Sequence, residues 1–173
     1  MKHEISITEL LTERAAQENI ITEVAVSAAQ ITVQLEPKIK AVYARPDCQK
    51  PVAAKYHDSE VLTVQGLGVQ DKGLRYQVKR IRLGYVNDAG RFVTFSVPLP
   101  GIRTDLLVTD EVVDKVLYLN VDRNLSLSAT AEMLLELYHV KTSTSALDRW
   151  KSGVAEKRPS IGQLIQQLNQ KKR

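Results

Sequence analysis

The 173-residue sequence predicts an α+β fold: a small antiparallel sheet over residues 20–101, then an all-helical unit of helix-turn-helix organisation over 104–153. Three observations predict it. Apolar residues alternate at strand spacing through most of 20–99. Pro98, Pro100 and Gly101 then break the pattern, and from Thr109 onward the apolar residues recur at helical spacing. An N-terminal helix within 1–19 is expected before the sheet, and a linker with a C-terminal amphipathic helix over 154–173 after the helical unit.

The elements follow in order. "SITELLTERAAQE" (6–18) has the spacing of a helix, with Ser6 or Thr8 to cap it, Glu9 three residues after Ser6, and an apolar stripe of Leu10, Leu11 and Ala15. Val24, Val26, Ile31, Val33 and Leu35 then alternate around a turn at Ser27–Ala29. Two further strands are expected at 60–69 and 73–86, joined by "VQDKG", with Gly73 able to take positive φ. In the second, Leu74, Tyr76, Val78 and Arg80 share one face, and Arg75, Gln77, Lys79 and Ile81 share the other. "NDAG" (87–90) turns the chain into a last strand, "RFVTFSVPL". Helical spacing then runs through Val112, Val113, Val116, Leu117 and Leu119, capped by Thr109 or Asp110. A second helix has Ala131, Met133, Leu134, Leu135 and Leu137, capped by Ser128. A third begins at Ser143 or Thr144 and is stopped by Gly153. Ile161, Leu164, Ile165 and Leu168 form the narrow stripe of the tail.

Composition narrows the class. With 43% apolar and 25% charged residues the chain reads as a soluble globular protein. No stretch approaches the roughly 20 apolar residues of a membrane helix, and the polar N-terminus is not a secretory signal. The single cysteine excludes an internal disulfide and fits a reducing compartment. The net charge of +4 is unevenly distributed: residues 38–103 carry net +7 and 141–173 net +6, with acidic blocks before and between them. Two basic blocks suit a polyanionic partner.

The third helix of the 104–153 unit has the chemistry of a DNA-reading helix. Ala146, Leu147 and Trp150 give it a narrow docking stripe. Ser143, Thr144, Ser145 and Asp148 are small polar residues near its N-terminus, suited to the major groove, and Arg149 and Lys151 stand where they can meet guanine or phosphate. Arg75, Lys79, Arg80 and Arg82 form a second basic set on the expected strand, placed for contact with a DNA backbone. Serines and threonines at 126–130 and 142–145 are explained by helix capping, with no His or Asp at a distance that would make them nucleophiles.

"YARPDCQKP" (43–51) reads like half of a zinc knuckle without its second thiolate. From Val24 to Trp150 the chain resembles the N-terminal half of bacterial insertion-sequence transposases of the ISL-three type, which place a zinc ribbon before a helix-turn-helix. The first half-ribbon matches Arg45-Pro46-Asp47-Cys48, the second falls on Tyr85 and Gly90, and the end of the reading helix matches Ser145-Ala146-Leu147-Asp148-Arg149-Trp150. The resemblance implies a degenerate, zinc-ribbon-like sheet. Of its four ligand positions only Cys48 retains a ligand, and neither His57 nor His139 has ligand spacing to it, so no metal and no cofactor are expected.

The resemblance also implies recognition of transposon ends in double-stranded DNA by a module lacking the catalytic domain, as a truncated or regulatory form in DNA transposition. Such a module is not an enzyme. Its expected partners are duplex DNA and itself or a full-length transposase, not a membrane, and its expected location is the bacterial cytoplasm, at the nucleoid when bound. The alternative from another class is a protein-interaction or oligomerisation module, with helices 109–152 and the tail meeting a partner and no nucleic acid.

Overall fold

The computed structural model describes residues 11–155. The expected C-terminal helix and the first residues of the N-terminal one, with Ser6, Thr8 and Glu9, lie outside them. The described chain runs α1 (Arg14–Glu18), β1 (Ile20–Val26), β2 (Gln30–Glu36), β3 (Tyr43–Ala44), β4 (Pro51–Val52), β5 (Lys55–Val69), β6 (Lys72–Val86), β7 (Phe92–Ser96), β8 (Ile102–Arg103), β9 (Val108–Thr109), α2 (Asp110–Leu117), a π-helical turn (Tyr118–Asp122), α3 (Leu127–Tyr138) and α4 (Thr144–Ala155).

This corrects the expected fold class. The sheet is neither small nor purely antiparallel: it has seven strands in the order β1-β2-β6-β5-β9-β8, with β7 also on β6. β2 pairs with β6 in parallel, and β9 touches β5 in parallel at Gln65↔Val108. Nor is the helical segment a separate all-helical unit. β8 and β9 carry the chain back onto β5, and Val108 of β9 shares a core with α2, α3 and α4, against which Leu67 of β5 packs. The period-two segments came out as strands, but no local pattern encodes which strands become neighbours.

β5 and β6, each 15 residues long, form a hairpin that carries two cores on opposite faces. In the first half of β6, Leu74, Tyr76 and Val78 are buried against Ile31, Val33 and Leu35 of β2 and against Ala15 and Ala16 of α1. Beyond Arg80 the buried parity changes: Ile81 and Leu83 pack on the other face with Tyr43 and Val97. The hairpin turn differs from expectation. Gln70, not Gly73, takes the left-handed conformation, with φ 56°. The β6–β7 turn is as expected, with Gly90 at φ 72°.

Helix ends differ in three places. α1 starts at Arg14, because Glu13 is extended (φ −64°, ψ 140°) and forms its N-cap. The α3 cap is Ser126 rather than Ser128: the Ala129 N–H donates to Ser126 Oγ at 3.1 Å, satisfying an orphan N–H of the first turn. α4 runs through Gly153 to Ala155.

The extended backbone at Glu13 sends its carboxylate inward, where it joins three elements. Oε1 accepts from the Leu67 N–H of β5 at 2.6 Å and from the Thr109 hydroxyl, just ahead of α2, at 3.0 Å. Glu13 is only 5% exposed, and burial pushes its pKa up to about 7. The Leu67 N–H and the Tyr76 hydroxyl pull the other way, and the neighbouring Glu111 charge adds to the rise.

Candidate nucleic-acid interface

α4 begins where its residues dictate. Ser143 Oγ accepts from the Ala146 N–H at 3.2 Å, and the Ser143 carbonyl accepts from the Leu147 N–H at 3.0 Å. Leu147 is fully buried and Trp150 is 5% exposed, both packed in the core of Val112, Val116 and Leu134. The docking stripe leaves the opposite face free: Ser143, Thr144, Ser145, Asp148 and Arg149 are all exposed. Lys151 is half-buried, its Nζ 3.9 Å from Asp148 Oδ1. Arg149 has no carboxylate partner among the described residues.

The basic residues of β6 have a different situation, set by strand register. Lys79 Nζ lies 2.9 Å from Glu36 Oε1 on β2. Arg80 pairs with Glu60 and Arg82 with Asp58, both directly across from them on β5. The Arg82 guanidinium holds the Asp58 carboxyl below the usual carboxylate range. Three of the four cations expected to meet DNA from this strand are therefore matched by a carboxylate on the neighbouring strand, leaving little net field there for a polyanion. Arg75 is the exception: it is exposed, pairs in register with Thr32 and Gln65, and meets no carboxylate among the described residues.

Arg75 also shares a groove with the turn that leads into α4. Together with Thr63 and Gln65 it lines an open groove of about 520 Å³, which Lys141 and Thr142, in the turn leading into α4, also line. Gln65 fixes that turn to the sheet: its side-chain Oε1 accepts from the Lys141 N–H at 3.2 Å, while its own N–H donates to the Leu107 carbonyl at 3.0 Å. The structure thus brings Arg75 to the approach to α4 and leaves Lys79, Arg80 and Arg82 outside the groove. Lys141 and Gln65 were not singled out from the sequence. Lys141 belongs to the basic C-terminal block, but its position in the groove with Arg75 depends on where β5 meets the α3–α4 turn.

The knuckle at 43–51 is closed by hydrogen bonds and ion pairs among Arg45, Asp47, Tyr85 and Asp88. Arg45 grips Asp47 with two nitrogens at 2.9 and 3.1 Å and reaches Asp88 at 2.9 Å. The Tyr85 hydroxyl donates to Asp47 Oδ1 at 3.0 Å. Hydrogen bonds from Arg45, aided by Tyr85, hold the Asp47 pKa down at about 2. Cys48 is exposed, beside Gln49 at φ 59°. His57 stacks edge-on to Phe92, with centroids 5.5 Å apart. Among the described residues no group of three or more His, Cys, Asp or Glu is placed to hold a metal ion, and no helix is long and apolar enough to cross a membrane.

No family model, curated protein or solved structure matches the chain, so the resemblance to ISL-three-type transposases rests on the residues quoted for it.

Proposed function

We propose that this protein binds double-stranded DNA, with the exposed face of α4 entering the major groove. One observation carries the reading: α4 buries Leu147 and Trp150 in its own core and turns Thr144, Ser145, Asp148 and Arg149 to solvent as one polar, cation-bearing face. A helix anchored in this way can present side chains to base edges without giving up its packing. Short hydroxyl residues at its N-terminal end allow close approach, and Arg149 has the reach and fork geometry for a guanine edge or a phosphate. Together with the sequence resemblance, this supports recognition of transposon ends by a module that binds without cutting.

The test is titration of a labelled duplex carrying inverted repeats of a related element, repeated over a range of salt. Binding that weakens steeply with salt, and that Arg149→Ala weakens further, is the expected result. Failure to bind any duplex at low salt would hand the protein to the protein-interaction reading.

A further inference from the structure

We infer that the groove between β6 and the α3–α4 turn is a phosphodiester site, in which Arg75 and Lys141 together hold one backbone phosphate of the duplex that α4 reads. The inference rests on the DNA-binding reading and extends it from the helix to the sheet. Its basis is the contrast among the four cations between Arg75 and Arg82. Lys79, Arg80 and Arg82 each face a carboxylate on an adjacent strand, whereas Arg75 faces Thr32 and Gln65. Among the described residues no carboxylate lines the groove it enters, and a second cation, Lys141, lines it too. Thr63 and Thr142 add hydroxyls that can donate to phosphate oxygens.

The site is also built rather than incidental. The Lys141 N–H is tied to the Gln65 side chain, and Gln65 is the cross-strand partner of Arg75, so the two cations are held on one framework. Two cations and several neutral donors, with no competing anion, fit a phosphate diester better than an apolar or cationic ligand. Because Thr142 lines the groove and α4 begins two residues later, a phosphate held here would fix the strand beside the face that carries Thr144 and Arg149. Contacts of this kind set the register of a reading helix on the duplex while carrying no sequence information themselves.

The experiment measures the salt dependence of binding to a fluorescently labelled random-sequence duplex. Neutralising one phosphate contributes a slope of about −0.9 to the log–log plot of affinity against salt. The double variant Arg75→Ala/Lys141→Ala should therefore make the slope shallower by about 0.9 and bind more weakly on every sequence alike. The paired deletion Glu36→Ala/Lys79→Ala removes an ion pair outside the groove and should leave the slope at its wild-type value. Circular dichroism and thermal melts check that both variants fold; a folded single Arg75→Gln variant replaces the double one if that fails. A wild-type slope in the groove variant, with Arg149→Ala still weakening binding, would overturn the phosphate site and leave the DNA reading standing. Absence of duplex binding by the wild type would overturn both.

Discussion

The Arg45 guanidinium stacks on the Tyr85 ring, its central carbon 5.2 Å from the ring centroid. The two residues come from the knuckle and from the end of β6. Both also bind Asp47, so a cation, an aromatic ring and a carboxylate close the knuckle onto the hairpin. Tyr85 in turn meets Phe95, linking the cluster to the apolar core beneath the end of β6. A cross-link of this kind does locally what a bound ion does in metal-held knuckles: it fixes two turns that have too little apolar surface to fix themselves.

Arg45→Met should therefore lower the thermal midpoint, and Asp88→Asn, which removes only the more exposed of the two anchors, should lower it less. The Asp47 pKa is depressed in the folded state, so its contribution is present above the ordinary value of 3.8 and is lost as pH falls toward about 2. Melting curves of the wild type and Asp47→Asn between those pH values should converge at the acid end. Equal midpoints for Arg45→Met and the wild type would show that the cluster holds nothing.

Glu13 predicts the opposite pH dependence. Its pKa is raised, so the folded state holds the proton more tightly than the unfolded chain. The stability this gives is complete below about 4.5, the unfolded value, and is lost as pH rises through about 7. The loss is on the order of 3 kcal/mol. Glu13→Gln keeps an oxygen for the Leu67 N–H and the Thr109 hydroxyl but cannot ionise. Urea midpoints should fall from pH 5 to pH 8 for the wild type and stay level for Glu13→Gln, which should be the more stable of the two at pH 8. Parallel pH profiles would refute the buried-acid assignment.

The longer strands and helices were legible in the sequence because each carries its own period. Alternation at Ile31, Val33 and Leu35 and at Leu74, Tyr76 and Val78 marked β2 and β6. That these two strands pair in parallel was not legible, since the pairing joins segments about forty residues apart and no local residue records it. β8 and β9, two residues each, are too short to show a period at all. The same limit applies to the candidate interface. Buried Trp150 beside exposed Arg149 follows from helical spacing alone, whereas the matching of Lys79, Arg80 and Arg82 by Glu36, Glu60 and Asp58 depends on register between strands. A run of basic residues therefore read as a polyanion surface, although of Arg75, Lys79, Arg80 and Arg82 only Arg75 is without a carboxylate partner among the described residues.

Two glycines of the long hairpin should respond very differently to alanine. A Cβ at Gly66 would lie 2.5 Å from Glu13 Oε2 and 2.7 Å from Tyr76 Cε2, both held in the interior. A Cβ at Gly84 would also collide with a ring, that of Phe92, but Phe92 is 60% exposed and free to swing outward. Gly66→Ala should cost about 1–3 kcal/mol, and Gly84→Ala less than about 1 kcal/mol. Chemical denaturation of the two variants side by side gives the comparison, and equal losses would mean that Glu13 and Tyr76 yield as readily as a surface ring.

Arg149 and Trp150 are adjacent in sequence but lie in opposite environments on α4, one exposed and one buried. Trp150 fills the core shared by α2, α3 and α4, so Trp150→Ala should cost roughly 3–5 kcal/mol of folding stability through the cavity it leaves. Arg149 makes no contact that the core depends on, so Arg149→Ala should fold with wild-type stability. Its effect should appear only on DNA: a loss of about 1–3 kcal/mol concentrated on one base pair if it reads a base, or a smaller, sequence-independent loss with a shallower salt slope if it meets phosphate. Denaturation midpoints and duplex titrations of both variants separate the two roles. A stable Trp150→Ala protein together with unchanged DNA affinity in Arg149→Ala would mean that α4 neither docks nor reads as assigned. The interface would then have to be sought on another face of the molecule.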